Sequence, residues 1–267
     1  MQAVLLVAGL GGRLRPRTEH CPKCMIQIDG KPLLHWSMEN LVQSGVDRIV
    51  MVTGYRGDAI RQYFGAAWNS VSIEYAENPD YASSGTYWSL LQAMKLLDPG
   101  KFLLLEGDLL YHPGFIDIAV AQQQCAVLTS DVSESGDEVF VSVDMHGYLV
   151  TMGKRLDRAQ WMLAPGELSG ISVLDTALLD SLRDQADRER DYEQHLSRIA
   201  RRWPVAVVHC PTLPWIEIDT ERDYQRAVLD ILPRLKGAWR AGTASDRVLT
   251  IDKSDIAAHE NPKTVHF

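Results

Sequence analysis

The sequence predicts an α/β fold: a mixed, mostly parallel sheet flanked by helices, carrying an antiparallel insertion. Strand-length apolar runs alternate with helix-length segments, the arrangement that builds a parallel sheet covered on both faces. One of those runs, Lys101-Phe102-Leu103-Leu104-Leu105, is apolar without alternation, as in a strand buried on both sides. Between residues 131 and 175 the pattern changes to short alternating runs, which predicts hairpins.

The first strand spans Gln2 to Ala8. A helix opens at Lys31-Pro32-Leu33-Leu34-His35-Trp36, and its apolar positions recur at Met38, Leu41 and Val42. Gly45 ends it. Arg48 to Thr53 is a β-branched strand closed by Gly54, and a helix over 57–67 leads to a strand at Val71-Ser72-Ile73-Glu74-Tyr75. A turn at Ser83-Ser84-Gly85-Thr86 opens a helix running through Met94. The strand from Lys101 ends in Glu106-Gly107-Asp108, a helix runs from Pro113 to Gln122, and Ala126 to Thr129 starts another strand. The hairpins follow, with runs at Val139–Val143 and Tyr148–Val150. Helices at 177–185 and 192–201, strands at 205–208 and 215–219, and a helix at 221–231 that Thr220 can cap complete the pattern. The expected organisation is one catalytic domain over 1–240, with 131–175 as its acceptor-side hairpins, and a C-terminal tail over 241–267.

Composition narrows the function. The 267 residues are 46% hydrophobic and 23% charged, an ordinary globular balance. A net charge of −8 argues against a nucleic-acid partner, because such domains are usually basic. No run reaches the roughly 18–20 apolar residues of a membrane span. The start carries no signal-peptide pattern, and four cysteines make no disulfide framework, so the expected location is cytoplasmic. Cys21-Pro22-Lys23-Cys24 is a C-x-x-C, but no second Cys or His pair stands at zinc-ligand spacing, and no redox helix opens there.

The chemistry concentrates at Ala8, Gly9, Leu10, Gly11, Gly12 and Arg13, where the first strand ends in a glycine turn, followed by Pro22-Lys23. Glycines let a backbone close on a ligand, and successive N–H groups in such a turn form an anion nest. Arg13 and Lys23 can supply the countercharge of a polyphosphate. A dinucleotide fingerprint would need a glycine where Leu14 stands, and a P-loop would need Gly-Lys-Ser/Thr. An ordinary glycine turn leaves Arg13 and Lys23 unexplained. At the carboxyl edge, Glu106 and Asp108 follow the buried strand, and Glu217 and Asp219 repeat the spacing with Ile216 and Ile218 turned inward. Two acidic strand ends facing a phosphate loop offer oxygen ligands of the kind Mg²⁺ prefers.

Gly9-Leu10-Gly11-Gly12-Arg13, then Pro22-Lys23, then Gly30-Lys31-Pro32-Leu33, resembles the nucleoside-triphosphate transferase (nucleotidyltransferase) family. The resemblance implies a Rossmann-like fold of the GT-A kind, with the loop wrapped round the triphosphate and the turn at Ser84, Gly85 and Thr86 beside the nucleotide. It also implies a metal aspartate at Asp108 and a second acidic position at Glu217 or Asp219. An acceptor oxygen then attacks the α-phosphorus and pyrophosphate leaves, with Arg13 on the leaving phosphates and Lys23 on the α-phosphate or the acceptor. Lys31 fits a phosphate contact and a solvated helix start equally.

Trp88-Ser89-Leu90, Glu106-Gly107-Asp108-Leu109-Leu110-Tyr111 and Trp215-x-Glu217-Ile218-Asp219 look most like the choline-phosphate and 2-aminoethylphosphonate cytidylyltransferases. That likeness implies CTP as donor and a small amino-alkyl phosphonate or phosphate as acceptor, the phosphonate then being attached to a cell-surface glycan or lipid. An ammonium group needs carboxylates or aromatic faces, and Glu106, Trp161, Asp191 and Tyr192 are the acceptor-side candidates. One clear carboxylate, Asp191, with only two aromatics, Trp161 and Tyr192, favours 2-aminoethylphosphonate over phosphocholine. The alternatives are a sugar-1-phosphate nucleotidyltransferase, for which the longer Gly-Thr-rich loop is lacking, and a non-catalytic nucleotide-binding protein. A homo-oligomer and fusion to a further domain are both compatible with the sequence.

Overall fold

The computed structural model describes residues 1–157, 160, 164–181 and 187–240. The expected tail, Trp161 and the end of the helix predicted at 177–185 lie outside the described residues. The main sheet is built from β1 (Gln2–Val7), β2 (Arg48–Thr53), β3 (Val71–Glu77) and β4 (Lys101–Glu106), all parallel, in the spatial order β4-β1-β2-β3. Residues on β1 are divided between two layers. Ala3, Leu5 and Val7 pack with Leu34, Met38 and Leu41 of α1 (Leu33–Gln43) and with Ile60 and Phe64 of α2 (Gly57–Phe64). Val4 and Leu6 pack on the other side with Tyr87 and Leu90 of α3 (Thr86–Ala93). Burial on both faces explains why these strands read as apolar runs.

The helix expected from Lys31 begins at Leu33, because Pro32 stays extended as its N-cap, and Lys31–Pro32 instead forms a two-residue ladder with Gln27–Ile28. Beyond β4 come β5 (Leu109–Tyr111), α4 (Gly114–Val120) and β6 (Ala126–Ser130). The hairpin predicted after residue 131 is present as β7 (Phe140–Val143) paired with β8 (Leu149–Gly153). Residues 166–175 differ from the expectation of a separate hairpin half. They form one ten-residue strand, β9 (Gly166–Asp175), which lies antiparallel beside β4 and also pairs β6 and β7. It is buried along nearly its whole length, so no two-residue alternation marks it as a central strand.

After α5 (Thr176–Asp180) and α6 (Tyr192–Ile199), β10 (Ala206–His209) runs parallel to β6. The last strand, β11 (Trp215–Glu217), pairs antiparallel with β5. Thr220 and Asp223 then cap one another's backbone in a reciprocal box that opens α7 (Glu221–Arg226). The predicted helix is longer than expected: a π turn at Ala227–Ile231 carries it into α8 (Leu232–Arg240). Ile231, Leu232 and Leu235 on this run pack with Leu14, Ile26 and Ile28 near the glycine loop and with Leu110, Ile216 and Ile218. This third core ties the end of the domain to its beginning.

Candidate active site

The strand order reverses between β4 and β1, and open α/β sheets bind ligands at the carboxyl edge of such a switch point. The glycine loop leaves β1 there, and Gly107 and Asp108 leave β4 next to it. Gly107 donates to the Leu6 carbonyl at 3.0 Å, and a Cβ on it would strike Val7 Cγ1 at 2.4 Å. Only a glycine lets the two strand ends close to that distance.

In the loop, Gly11 takes the left-handed conformation (φ 62°), and Thr18 donates to its carbonyl at 2.7 Å. A Cβ on Gly9 or Gly12 would meet nothing within 4 Å, so the outer side of the loop is open for a ligand. The Ala8 carbonyl accepts from Tyr55 N–H at 3.1 Å, which holds the start of the loop to the end of β2. Lys23 opens a short helical turn, Lys23–Met25, that begins after Pro22. Its largely buried ammonium donates to Asp108 Oδ2 at 2.6 Å and to Asp219. Arg13 reaches Asp219 Oδ2 at 2.8 Å and Asp137 Oδ2 at 2.7 Å, and Lys154 also pairs with Asp137.

The pairing of β5 with β11 brings the two acidic segments together, and Ile218 N–H donates to the Asp108 carbonyl at 3.0 Å. Carboxylate oxygens of Glu106, Asp108 and Glu217 all lie within 4.8 Å of one another. Asp219 lies beside Glu217 and is held by Lys23 and Arg13. Asp108 has one oxygen on Lys23, while its Oδ1 is buried with no hydrogen-bond partner among the described residues. A bare buried carboxylate oxygen beside two further carboxylates is a donor set that suits a hard cation.

The electrostatics agree. Burial, with Asp108, Glu106 and Asp219 nearby, pushes the Glu217 carboxyl well above the carboxylate range. Burial raises Glu106 in the same way, reinforced by Glu193 and Asp108 and opposed by the Tyr192 hydroxyl, which donates to it at 2.8 Å. Burial also acts to raise Asp219, but Lys23 and Arg13 overcome it and hold the group low.

A cleft of about 250 Å³ opens beside this cluster, and its far side is formed by Thr86, Val139, Lys154, Glu167, Leu168, Gly170, Asp191 and Glu193. Ser84 and Gly85 lead into this wall. Ser84 Oγ accepts from Asn78 at 2.9 Å, and Gly85 N–H donates to the Arg188 carbonyl at 2.8 Å. Asp191 Oδ1 accepts from both N–H and Oγ1 of Thr86, at 3.0 and 3.1 Å, and so caps α3. Thr86 Oγ1 in turn accepts from Tyr192 N–H at 3.0 Å. The Tyr192 ring is buried in the second core cluster. Among the acceptor-side residues expected from the sequence, Glu106 and Asp191 line the cleft and Trp161 lies outside the described residues. Sequence reasoning missed Asp137, Lys154, Glu167 and Glu193. Of these, only Glu193 carried a signal, since it sits in the first turn of the helix that Asp191 begins.

A family model for nucleotidyl transferases matches residues 2–135, half of the chain, a stretch containing the glycine loop, Lys23 and the β4 edge. The chain belongs to the nucleotidyl transferase family. It is 28% identical over 280 aligned residues to CMP-5'-(3-aminopropyl)phosphonate synthase of Streptomyces rubellomurinus, across 93% of this chain and 43% of that protein. It is also 28% identical over 192 residues to 2-aminoethylphosphonate cytidylyltransferase of Lancefieldella rimae, across 72% and 75% of the two chains. Sugar-1-phosphate members match as well, and the chain spans about half or less of the length of the first curated relatives it matches. Among solved structures, the inositol-1-phosphate CTP transferase from T. maritima superposes with a TM-score of 0.74 at 23% identity, covering 91% of this chain and 97% of that one. That likeness establishes the Rossmann-like nucleotidyltransferase fold. No helix among the described residues is long and apolar enough to cross a membrane.

Proposed function

We propose that this protein is a Mg²⁺-dependent cytidylyltransferase that joins CTP to 2-aminoethylphosphonate, giving CMP-aminoethylphosphonate and pyrophosphate. The observation that carries the reading is the juxtaposition of an open glycine loop, with Arg13 and Lys23 at its base, and the Glu106–Asp108–Glu217 cluster across the switch point. Phosphoryl transfer of this kind asks for positioning and charge neutralisation rather than a protein nucleophile. The acceptor's phosphonate oxygen forms a bond to the α-phosphorus while the α–β bridging bond breaks and pyrophosphate departs.

Asp108 and Glu217 would hold the Mg²⁺, with Glu106 beside them, and the bound ion would neutralise phosphate oxygens. Asp219 is assigned a different task, to keep Lys23 and Arg13 aimed along the loop. Arg13 takes the leaving phosphates, and Lys23 the α-phosphate. Backbone N–H groups of Gly9 to Gly12 cradle the triphosphate, and Ser84 to Thr86 border the nucleotide. Lys154 on the far wall is the cation nearest to where an acceptor phosphonate enters.

CTP and the amino-alkyl phosphonate are favoured by the two relatives whose names carry those substrates, and four carboxylates in the acceptor half of the cleft suit an amine. Phosphocholine is the nearest alternative acceptor. A sugar 1-phosphate is the second reading, supported by the sugar-phosphate members among the matches. The experiment is pyrophosphate release with Mg²⁺ and CTP across 2-aminoethylphosphonate, phosphocholine, phosphoethanolamine and sugar 1-phosphates. Turnover with the aminophosphonate is the expected result. Turnover with sugar phosphates alone would replace the acceptor assignment, and no turnover with any nucleoside triphosphate would refute catalysis.

A further inference from the structure

The far wall of the cleft carries more negative charge than its own contacts use. Glu106, Glu167, Asp191 and Glu193 face it, with Lys154 as the cation on that side. Three of the four carboxylates are engaged. Glu106 accepts from the Tyr192 hydroxyl at 2.8 Å, and Asp191 caps α3 through Thr86. Glu167 accepts from N–H and Oγ of Ser133 at 2.6 and 3.1 Å. Glu193 differs: its Oε2 is buried and has no hydrogen-bond partner among the described residues. A buried carboxylate oxygen left without a partner is costly, and a structure retains one where something else completes it.

We propose that Glu193 takes the ammonium group of the acceptor and is the residue that selects an amine at this site. The assignment rests on the amino-alkyl reading of the acceptor and adds the group that enforces it. Glu193 lies in the first turn of α6, whose following turns pack through His195, Leu196 and Ile199, so the carboxylate is held on a fixed element. Gly170 lines the same cleft and keeps space open beside Glu106. The glycine is left-handed (φ 73°), and a Cβ there would stand 3.0 Å from Leu109 Cδ1 and 3.3 Å from the Glu106 carboxyl carbon. Val139 and Leu168 are the apolar side chains on this side, and no aromatic ring lines the cleft among the described residues. A trimethylammonium is bound chiefly by ring faces, whereas a primary ammonium is satisfied by carboxylate acceptors, so the wall fits a primary amine. A sugar hydroxyl can donate to Glu193, but it brings no charge to balance the carboxylate.

The test compares the wild-type protein with Glu193→Gln and Glu193→Asp, using CTP with 2-aminoethylphosphonate and with ethylphosphonate, which lacks the amine. Glu193→Gln is expected to raise KM for 2-aminoethylphosphonate roughly 10- to 100-fold, leave KM for CTP unchanged, and alter ethylphosphonate turnover little. Glu193→Asp should restore part of the loss, and equal melting temperatures establish that the variants are folded. An equal penalty on both acceptors, or none on the amine, overturns the assignment of Glu193 while leaving the cytidylyltransferase reading intact. Wild-type protein that uses only sugar 1-phosphates overturns both.

Discussion

Replacing Lys23 with Met removes the ammonium that Asp108 and Asp219 share, without inserting a new polar group. The Lys23 side chain is 12% exposed and its two partners 20% and 13%, so the pairs sit where solvent screens them poorly. Breaking a buried pair by deleting one partner typically costs about 3–5 kcal/mol. Asp219 keeps Arg13 at 2.8 Å, and Arg13 is more than half exposed, which places the loss near the lower end, about 3 kcal/mol. For a chain of this size that lowers Tm by roughly 6–12 °C.

The loss depends on pH with a definite sign. Burial raises the Asp219 carboxyl and Lys23 brings it below its ordinary value of 3.8, so its contribution is present above that value and disappears as pH falls through the lower folded value. The Tm gap between wild type and Lys23→Met should therefore be widest near neutrality and close in acid. Mg²⁺ at 100 times its Kd adds about 2.7 kcal/mol to each form that binds it, wild type and Lys23→Met alike, because the ion would compensate Asp108 in both. Calorimetry at two pH values, with and without Mg²⁺, reads all three effects. A metal-free fall in Tm of less than about 2 °C would refute the buried pairing. A Tm that Mg²⁺ raises in neither protein would refute the cation site.

Asp108→Asn should keep the fold and lose turnover by about 100-fold or more, together with any Mg²⁺-dependent rise in Tm; near-normal turnover would remove Asp108 from the metal set. Gly170→Ala should cost roughly 1–2 kcal/mol of stability from its left-handed backbone alone, and should raise KM for the acceptor more than for CTP. Kinetics showing both values moved equally would place Gly170 outside the acceptor side. Cys21→Ser, at a half-exposed position, should change stability by less than about 0.5 kcal/mol. Cys24→Ser, inside the first core, should cost about 1–3 kcal/mol for the buried hydroxyl. Zinc released from either variant, measured by metal analysis, would restore a metal role for the C-x-x-C.

The sequence made local features legible. The glycine loop, the two-sided burial of β1 and β4, the hairpin after residue 131 and the Thr220 cap all follow from short-range patterns of turn residues, periodicity and capping. What it hid was set by distant partners. Glu217 joins Glu106 and Asp108 because β5 pairs with β11 more than a hundred residues later, and Glu106 and Asp108 are not aligned by extended-strand alternation, since Asp108 lies in a turn. The central strand β9 was obscured because Glu167, Ser169 and Ser172 are buried within it and break its apolar run. Asp191 reads as a free acceptor carboxylate in the sequence. In the fold, Thr86, 105 residues away, supplies the donors that make it a helix cap. Nothing local marks Asp137 or Lys154, whose positions depend on how the hairpin meets Arg13.

The third core, which joins the C-terminal helical run to the segment after the glycine loop, orders events as the chain is made. The glycine loop precedes its partners by a long stretch of chain: Lys23 meets Asp219 196 residues later, and Leu14, Ile26 and Ile28 wait for Ile231 to Leu235. Contacts this remote in sequence close late, because the loop entropy must be met before they form. A nascent chain therefore carries the glycine loop through more than 200 further residues without the acidic partners or the apolar support that shape it. The loop can take its final shape only after residues as far along as Leu235 have been made.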